Sequence, residues 1–224
     1  MYLEAITVCI RYGDFLRITL PRNKKLFDHY IVVTSPDDSE TQAVCKDNNI
    51  GFVKSTRGLK SGKFNKGIFI NDGFDALRKT DWILHLDADM VLYDDSRKKI
   101  EQQAVDPDVL YGVARQLCPS AQEWDNYLQT GKQAWPRQDH RKCIGMGFFQ
   151  LFNSRAQALQ QRTIWYPEQF DTAGRSDRFF FRQWQRHAKL RSMATVHLEE
   201  GSAPMSTNWQ GRKTPRFISS SSSS

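Results

Sequence analysis

The first half of the chain alternates short apolar runs with amphipathic segments. The apolar runs have the length of strands and are bounded by turn residues, whereas the segments between them carry apolar side chains at helical spacing. They predict strands at residues 3–10, 30–34, 50–53 and 82–86, and helices at about residues 39–48 and 64–79. Because strands and helices alternate, we predict an α/β fold with a mostly parallel central sheet flanked by helices. Ligands of such sheets bind beyond the carboxyl ends of the strands.

The second half of the chain is less regular. The same patterns predict strands at residues 109–114, 147–152 and 193–198, and helices at residues 120–131 and 176–189, the last with Ser176 as its N-cap. We interpret residues 1–112 and 113–217 as two halves of one domain. Residues 218–224 end in a run of serines, and we predict that they form a disordered tail.

Two carboxylates stand at the end of the strand predicted at residues 82–86. Asp87 and Asp89 are separated by one residue, and Met90 and further apolar residues follow directly. Charge beside such residues is costly to bury unless it is paired or holds a metal. The hard ions Mg²⁺ and Mn²⁺ favour oxygen ligands, so the pair predicts a divalent metal site. The alternative interpretation is an acidic, solvated turn.

The composition is that of a globular protein domain. The 224 residues are 39% hydrophobic and 12% aromatic, which is ordinary for a globular domain. No apolar run approaches the roughly 20 residues that span a bilayer. The four cysteines are scattered without a C-x-x-C pair, which favours a reducing, cytoplasmic setting.

The net charge of +7 is unevenly placed. Residues 1–112 carry −1 and residues 113–224 carry +8. A basic half suits an anionic partner such as nucleic acid, a phosphorylated acceptor or an anionic membrane surface. A basic surface without such a partner is the alternative.

The order of three features resembles glycosyltransferases of the GT-A fold, especially the inverting family 2 type. In that family a segment of the form (K/R)-G-x-x-x-N-x-G leads into a strand that ends in Asp-X-Asp. This chain has Lys66-Gly-Ile-Phe-Ile-Asn-Asp-Gly73, then Leu84-His-Leu-Asp-Ala-Asp-Met90, and later Asp177 near the predicted start of a helix. The resemblance covers residues 3–115 best. It implies the Rossmann-like GT-A fold of nucleotide-diphospho-sugar transferases.

The resemblance also implies a set of site residues. Asp89 would ligate Mn²⁺ or Mg²⁺, Asp87 would contact the ribose or the metal through water, and His197 would be a further ligand. Asp177 would be the base that deprotonates the acceptor hydroxyl, with Asp171 in reserve. The residues expected near the donor are Thr7, Cys9, Tyr12, Asp37 or Asp38, Lys66, Asn71 and Arg212. The residues expected near the acceptor are Gly147, Phe148, Trp135 and Arg141.

The function that follows is metal-dependent transfer of a sugar from a nucleotide-diphosphate sugar to an acceptor hydroxyl, with inversion. The acceptor is open between a saccharide or glycan and a hydroxylated DNA base, because Arg137, Arg141 and Lys142 lie beside Trp135 and would suit a phosphate backbone. Two alternatives remain. One is a sugar-phosphate nucleotidyltransferase, and the other is a non-catalytic nucleic-acid-binding protein that retains a transferase fold. The oligomeric state does not follow from the sequence.

Overall fold

The structure, a computed structural model, describes residues 1–60, 63–138, 147–170, 173–199 and 216–219. The strands are β1 (Leu3–Val8), β2 (His29–Thr34), β3 (Gly51–Lys54), β4 (Leu59–Lys60), β5 (Lys63–Phe64), β6 (Trp82–Leu86), β7 (Met90–Leu92), β8 (Val109–Cys118), β9 (Arg137–Gln138), β10 (Phe149–Asn153) and β11 (Arg186–Leu198). The helices are α1 (Gly13–Asn23), α2 (Ser39–Asp47), α3 (Lys66–Phe74), α4 (Ser96–Gln103), α5 (Ala121–Thr130), α6 (Gln157–Gln160) and α7 (Ala173–Arg182). A 3₁₀ turn at Lys24–Leu26 follows α1.

One central sheet organises the described residues. Its strands run in the order β3-β2-β1-β6-β10-β8-β11-β7, and β9 pairs with β8. Strands β3, β2, β1 and β6 are parallel, as the alternating first half predicts. Strand β10 is antiparallel to both β6 and β8, whereas β8 and β11 are parallel and β7 is antiparallel to β11. The predicted α/β fold is confirmed, with the parallel pairing concentrated in the first half.

The predicted helix at 64–79 is shorter than expected. It spans Lys66–Phe74, because the backbone N–H groups of Arg78 and Lys79 donate to the buried carboxylate of Glu4 at 2.8 Å each instead of continuing the helix. Lys79 has a φ of +55°, a left-handed conformation that a helix does not contain. A carboxylate on β1 therefore ends the segment that leads into β6.

The predicted helix at 176–189 is wrong in its position. Helix α7 spans Ala173–Arg182, so Ser176 is a buried residue inside the helix and not its N-cap. Residues 186–189 begin β11, where they pair in parallel with residues 109–112 of β8. Pairing with a distant strand decides the conformation of this segment, and the local pattern does not contain that information.

The end of the described chain packs against α1. The Phe217 N–H donates to Asp14 Oδ2 at 2.6 Å, and the Phe217 ring lies 5.1 Å from the ring of Phe15. Ser219 is buried as well. We predicted a disordered tail from residue 218; Ile218 is 74% exposed, Ser219 is buried, and residues 220–224 lie outside the described part. Of the helices in the described ranges, none has the length and apolar character that crossing a membrane requires.

Candidate functional site

The turn that carries Asp87 and Asp89 joins β6 to β7, and side chains of α1 form hydrogen bonds with its backbone. The Thr19 hydroxyl donates to the carbonyl of Ala88 at 2.8 Å. The Asn23 side chain donates to the Met90 carbonyl at 2.8 Å and accepts from the Leu92 N–H at 2.9 Å. These bonds fix the backbone of the turn at the carboxyl end of β6, where a parallel sheet places its ligand site.

Asp87 belongs to a buried group that we call the lysine cluster: Lys66, Asp87 and Asp177. Lys66 is the first residue of α3, and its Nζ donates to Asp87 Oδ1 at 2.8 Å, to Asp177 Oδ2 at 3.1 Å and to the Gly147 carbonyl at 3.2 Å. The Lys66 side chain is 7% exposed and that of Asp177 is 11% exposed. The structure thus joins three residues that are widely separated along the chain.

Charge in the lysine cluster is balanced by contact. Burial lowers the pKa of Lys66, but the carboxylates of Asp177 and Asp87 outweigh burial and raise that pKa above its usual value. Burial raises the pKa of Asp177, although Lys66 opposes the shift. Burial likewise raises the pKa of Asp87, and the nearby Asp89 and Asp177 add to the shift. Burial thus works against charge on both carboxylates, and Lys66 works in favour of it.

Gly147 lets Asp177 approach the lysine cluster. Its φ is +90°, a backbone conformation that residues with a side chain rarely adopt. A Cβ at this position would lie 2.6 Å from Asp177 Oδ2. The second oxygen of Asp177, Oδ1, is buried without a hydrogen-bond partner among the described residues. Asp177 lies in the middle of α7 rather than at its start, so its position comes from packing and not from the helix dipole.

Asp89 belongs to a second group, which we call the histidine cluster: Asp89, His197 and Glu199. The antiparallel register of β7 and β11 pairs Met90 with His197, and the Leu198 N–H donates to the Asp89 carbonyl at 2.9 Å. His197 Nε2 consequently lies 3.2 Å from Asp89 Oδ2, and His197 Nδ1 lies 3.1 Å from Glu199 Oε1. Glu199 was not singled out from the sequence; its position two residues after His197, just past the end of β11, is the only signal that could have found it.

The histidine cluster differs from the lysine cluster in its electrostatics. Burial raises the pKa of Asp89, but the neighbouring His197 outweighs burial and holds that pKa below its usual value. Burial lowers the pKa of His197, but Asp89 and Glu199 outweigh burial and raise it to about 9. Asp89 is therefore kept charged beside a protonated His197, and His197 can ligate a metal only after it gives up one proton, because the neutral imidazole is the ligand.

The histidine cluster fits a divalent ion in part. No three His, Cys, Asp or Glu side chains of the described ranges are arranged to hold a metal by themselves. However, Asp89 Oδ1 is buried without a hydrogen-bond partner in that same part of the chain, and the imidazole lies against the other oxygen. Ions of the Mg²⁺ type commonly take one or two protein ligands and complete their coordination with substrate phosphates and water. Asp89 and His197 suit such a site, which a diphosphate would complete.

The residues predicted near the donor lie around the ends of β1 and β2. The Thr7 hydroxyl donates to the Leu86 carbonyl at 2.9 Å and lies 2.7 Å from the Tyr30 hydroxyl. Cys9 is buried 3.4 Å from the Thr41 hydroxyl, and burial raises the pKa of its thiol. Their contacts are those of core residues, and their role toward a donor stays a prediction.

Two further donor predictions are placed differently. Asp37 is exposed and pairs with Arg11 at 2.9 Å, and Tyr12 is partly buried beside Phe15, so both lie within reach of solvent at this edge. Asp38, by contrast, caps α2 by accepting from the Thr41 N–H at 3.1 Å, which commits it to the fold.

Asn71 contacts the segment before α7. Its amide donates to the Tyr166 carbonyl at 2.9 Å and to Glu168 Oε1 at 3.0 Å, and its oxygen accepts from the Tyr166 N–H at 3.0 Å. These bonds give Asn71 a structural role, and its contact with a donor is not tested. Arg212 lies outside the described residues.

Of the residues predicted near the acceptor, some lie beside the two clusters and others do not. Gly147 and Phe148 adjoin the two clusters, since the Phe148 carbonyl accepts from the Asp87 N–H at 3.1 Å. Trp135 packs on Trp124 and Tyr127 with ring centroids 6.1 and 5.1 Å away, so its environment is that of the core. Arg141 and the reserve base Asp171 lie outside the described residues.

Two more residues at the site were missed by the sequence pattern. His85 is buried on β6 with Nε2 3.7 Å from Asp87 Oδ1, and burial lowers its pKa well below the usual value, so its imidazole is neutral. Arg115, on β8, has its guanidinium 3.3 Å from His197 Nδ1 and 5.2 Å from the centre of the Phe148 ring. His85 is two residues before Asp87 on β6, a spacing that puts both side chains on one face of a strand, whereas Arg115 reaches the site only because β8 pairs with β11.

Comparison with known proteins places this geometry in a fold. No family model matches the chain, and no curated protein matches it. Among solved structures, the chain is similar to glucosyl-3-phosphoglycerate synthase from Mycobacterium tuberculosis in complex with Mn²⁺, uridine-diphosphate-glucose and phosphoglyceric acid. The match has 10% identity and a TM-score of 0.54, and covers 91% of this chain and 73% of that one. The chain has the GT-A fold.

A second similarity is more partial. Mannosyl-3-phosphoglycerate synthase from Rubrobacter xylanophilus matches with 13% identity and a TM-score of 0.48 over 69% of this chain. The chain spans 53% of the length of that protein, and the same share of a structure described as a mycobacterial protein. The GT-A fold rests on the match with a TM-score of 0.54, and identities of 10–13% establish no activity, so the activity must be argued from the site.

Proposed function

We propose that the protein is a metal-dependent glycosyltransferase that moves a sugar from a nucleotide-diphosphate sugar to an acceptor hydroxyl. The observation that carries the proposal is the turn after β6, where Asp89 lies 3.2 Å from His197 on one side and Asp87 lies 2.8 Å from Lys66 on the other. Support also comes from the GT-A fold and from the solved complex of a protein of that fold with Mn²⁺ and a UDP-sugar.

The charges of the site suit a pyrophosphate leaving group. Asp89 and His197 would hold a Mn²⁺ or Mg²⁺ ion, which when bound neutralises charge on the diphosphate as the glycosidic bond breaks. Lys66 uses its three N–H donors on Asp87, Asp177 and the Gly147 carbonyl, so a phosphate oxygen would take the place of one of these acceptors. Asp87 is 29% exposed, the most accessible member of the lysine cluster, which fits its proposed contact with the ribose.

Asp177 is the proposed base of an inverting transfer. One of its oxygens accepts from Lys66, and the other has no partner in the described part of the chain, so the second would accept the proton of the acceptor hydroxyl. Because that oxygen is buried, the acceptor reaches it only when the residues that cover it move. Burial raises the pKa of Asp177, which suits a group that must accept a proton, and Lys66 opposes that shift.

The acceptor is proposed as a saccharide or other small hydroxyl compound. The DNA interpretation depended on Arg137, Arg141, Lys142 and Trp135. Two of these lie outside the described residues, and Trp135 is packed in the core. A DNA acceptor therefore stays a prediction from charge.

A donor screen tests the proposed function. The purified protein is incubated with Mn²⁺ and a panel of UDP- and GDP-sugars, and thermal unfolding and nucleotide release are measured. A donor present at 100 times its Kd should stabilise the folded state by about 2.7 kcal/mol. Asp177→Asn should keep donor binding but lower transfer by about 10²–10⁴-fold, the range of general-base catalysis. If no nucleotide sugar binds with or without Mn²⁺, the proposal is wrong and the non-catalytic alternative gains.

A further inference from the structure

We propose that Glu199 is a positioning residue that holds His197 in the tautomer and orientation required for metal ligation. The inference rests on the proposed function, because it concerns the ion that Asp89 and His197 would hold. It adds a residue that neither the Asp-X-Asp motif nor the fold assigns to the site.

The two nitrogens of His197 face two different carboxylates. Nε2 lies 3.2 Å from Asp89 Oδ2, and Nδ1 lies 3.1 Å from Glu199 Oε1. The His197 side chain is 4% exposed. When a neutral imidazole ligates a metal through Nε2, its single proton is on Nδ1 and must be donated elsewhere. Glu199 is the acceptor in place for that proton. A carboxylate behind a metal-binding histidine fixes the ring and makes it a stronger ligand.

Glu199 is held by the backbone rather than by chance contact. Its N–H donates to the Cys118 carbonyl at 2.8 Å, and the preceding Leu198 N–H donates to the Asp89 carbonyl at 2.9 Å. The end of β11 is therefore attached to β8 on one side and to the Asp89 turn on the other. The three side chains of the histidine cluster keep their spacing because the strands that carry them are bonded to one another.

Two residues, Arg115 and Glu199, lie near Nδ1 of His197, and each favours a different tautomer of the neutral imidazole. The Arg115 guanidinium lies 3.3 Å from this Nδ1 and can donate to that atom only when the atom carries no proton. In that tautomer the proton is on Nε2, whose lone pair is then unavailable to a metal. Glu199 accepts from the opposite tautomer, the one that exposes the Nε2 lone pair toward Asp89. Glu199 thus favours the metal-binding form of His197.

Binding of Mn²⁺ alone, without any nucleotide, tests this role. The Kd is measured by calorimetry on the full chain for the wild type, Glu199→Gln, Glu199→Asp and Glu199→Ala. Loss of the carboxylate should weaken Mn²⁺ binding by about 10–100-fold, the usual effect of removing the partner of a metal-binding histidine. Glu199→Asp should recover part of the loss. The matched control is Glu123→Gln, which removes the same charge from the exposed face of α5 and should leave the Kd unchanged.

A second readout separates positioning from folding. Histidine ¹⁵N spectra with diamagnetic Zn²⁺ in place of Mn²⁺ should show His197 in one tautomer, with the proton on Nδ1, in the wild type and a mixture in Glu199→Gln. Thermal unfolding of each metal-free variant identifies any variant that fails to fold. If Glu199→Ala or Glu199→Asp fails to fold, the conclusion is drawn from Glu199→Gln, whose side chain has nearly the same shape as that of Glu199.

The outcomes separate the two proposals. If the wild type binds Mn²⁺ and Glu199→Gln binds it within two-fold, with the tautomer unchanged, the positioning role is wrong while the proposed function stands. If Glu199→Gln loses as much affinity as Asp89→Asn, Glu199 is a direct ligand and the positioning role is again wrong. If the wild type itself binds no Mn²⁺, the metal site of the proposed function fails, and the positioning role fails with it.

Discussion

The lysine cluster contains Asp87 and the histidine cluster contains Asp89, the two residues on either side of Ala88 in the sequence. The two clusters balance the charge of these carboxylates with different groups. In the lysine cluster a protein cation already lies between two carboxylates, and Lys66 is 7% exposed. In the histidine cluster His197, 4% exposed, lies between Asp89 and Glu199, and Asp89 keeps one oxygen without a hydrogen-bond partner among the described residues. Lys66 is a cation that cannot bind a metal, whereas the imidazole of His197 can give up a proton and then ligate a metal ion.

This difference separates two carboxylates that the motif Asp-X-Asp presents as equivalent. A buried charge must be compensated, and the compensation can come from a side chain or from a ligand. The charge of Asp87 is compensated by Lys66 in the folded protein, so removal of Lys66 should lower the stability. The charge of Asp89 is compensated by His197, which can also ligate a metal, so removal of Asp89 should weaken metal binding. The predictions below test that division.

The largest expected effect is on folding. Lys66→Met removes the cation and leaves Asp87 and Asp177 buried together, which should lower the free energy of unfolding by about 3–5 kcal/mol. Urea unfolding of the metal-free protein measures the change. Adding Asp177→Asn to Lys66→Met should recover part of the loss, because one carboxylate then remains. A loss below about 1 kcal/mol would show that Lys66 is not the counterion of the cluster.

The next effect is on catalysis. Asp89→Asn should lower Mn²⁺-dependent transfer or nucleotide release by about 10²–10³-fold, as the loss of one group that stabilises developing charge does. The unfolding free energy of the metal-free protein should change far less than in Lys66→Met. Steady-state rates with saturating Mn²⁺ and urea unfolding are measured on the same preparation. Equal destabilisation by both variants would remove the distinction between the clusters.

A smaller effect is expected at Gly147. Ala at this position places a methyl group 2.6 Å from Asp177 Oδ2 and in a backbone conformation of φ +90°. We expect a loss of about 1–3 kcal/mol from strain and from displacement of Asp177. Gly131→Ala is the matched control, because Gly131 also has a positive φ of +66° but no atom within 4 Å of the added Cβ. If both variants lose the same stability, contact with Asp177 contributes nothing.

The smallest effect is expected outside the clusters. Arg57 pairs with Asp72 and is 50% exposed, so Arg57→Ala should cost less than about 1 kcal/mol, a difference that salt should reduce further. Urea unfolding at low and high ionic strength measures it. A loss comparable to that of Lys66→Met would mean that burial does not distinguish the lysine cluster from an ordinary surface pair.

The sequence anticipated the parts of the site that are set by local pattern. The apolar run from Trp82 to Leu86 must form a buried strand, and the carboxylates that follow must then lie at its carboxyl end, next to the end of β1. Lys66 could be singled out because it begins the segment Lys66–Gly73, which resembles the (K/R)-G-x-x-x-N-x-G segment of the GT-A family. Strand periodicity and the alternation of strands with helices sufficed for an α/β fold with a mostly parallel sheet, whereas the GT-A fold was implied by the resemblance of the ordered motifs.

Contacts between distant strands were beyond that reasoning. Residues 186–189 look helical by themselves and become a strand because β8 offers them a partner. Glu199 acquires a role only because β11 places His197 beside the turn after β6. Gly147 matters because Asp177 comes within van der Waals contact of it across the fold.

The sequence by itself determined which residues carry charge at the end of a core strand, and hence that this chain has an acidic site at the ligand edge of an α/β sheet. Only the tertiary structure decided how that charge is compensated, with Lys66 serving Asp87 and His197 serving Asp89. The physical reason is that burial and counterions depend on which distant side chains arrive within about 3 Å, and no local periodicity encodes that arrival.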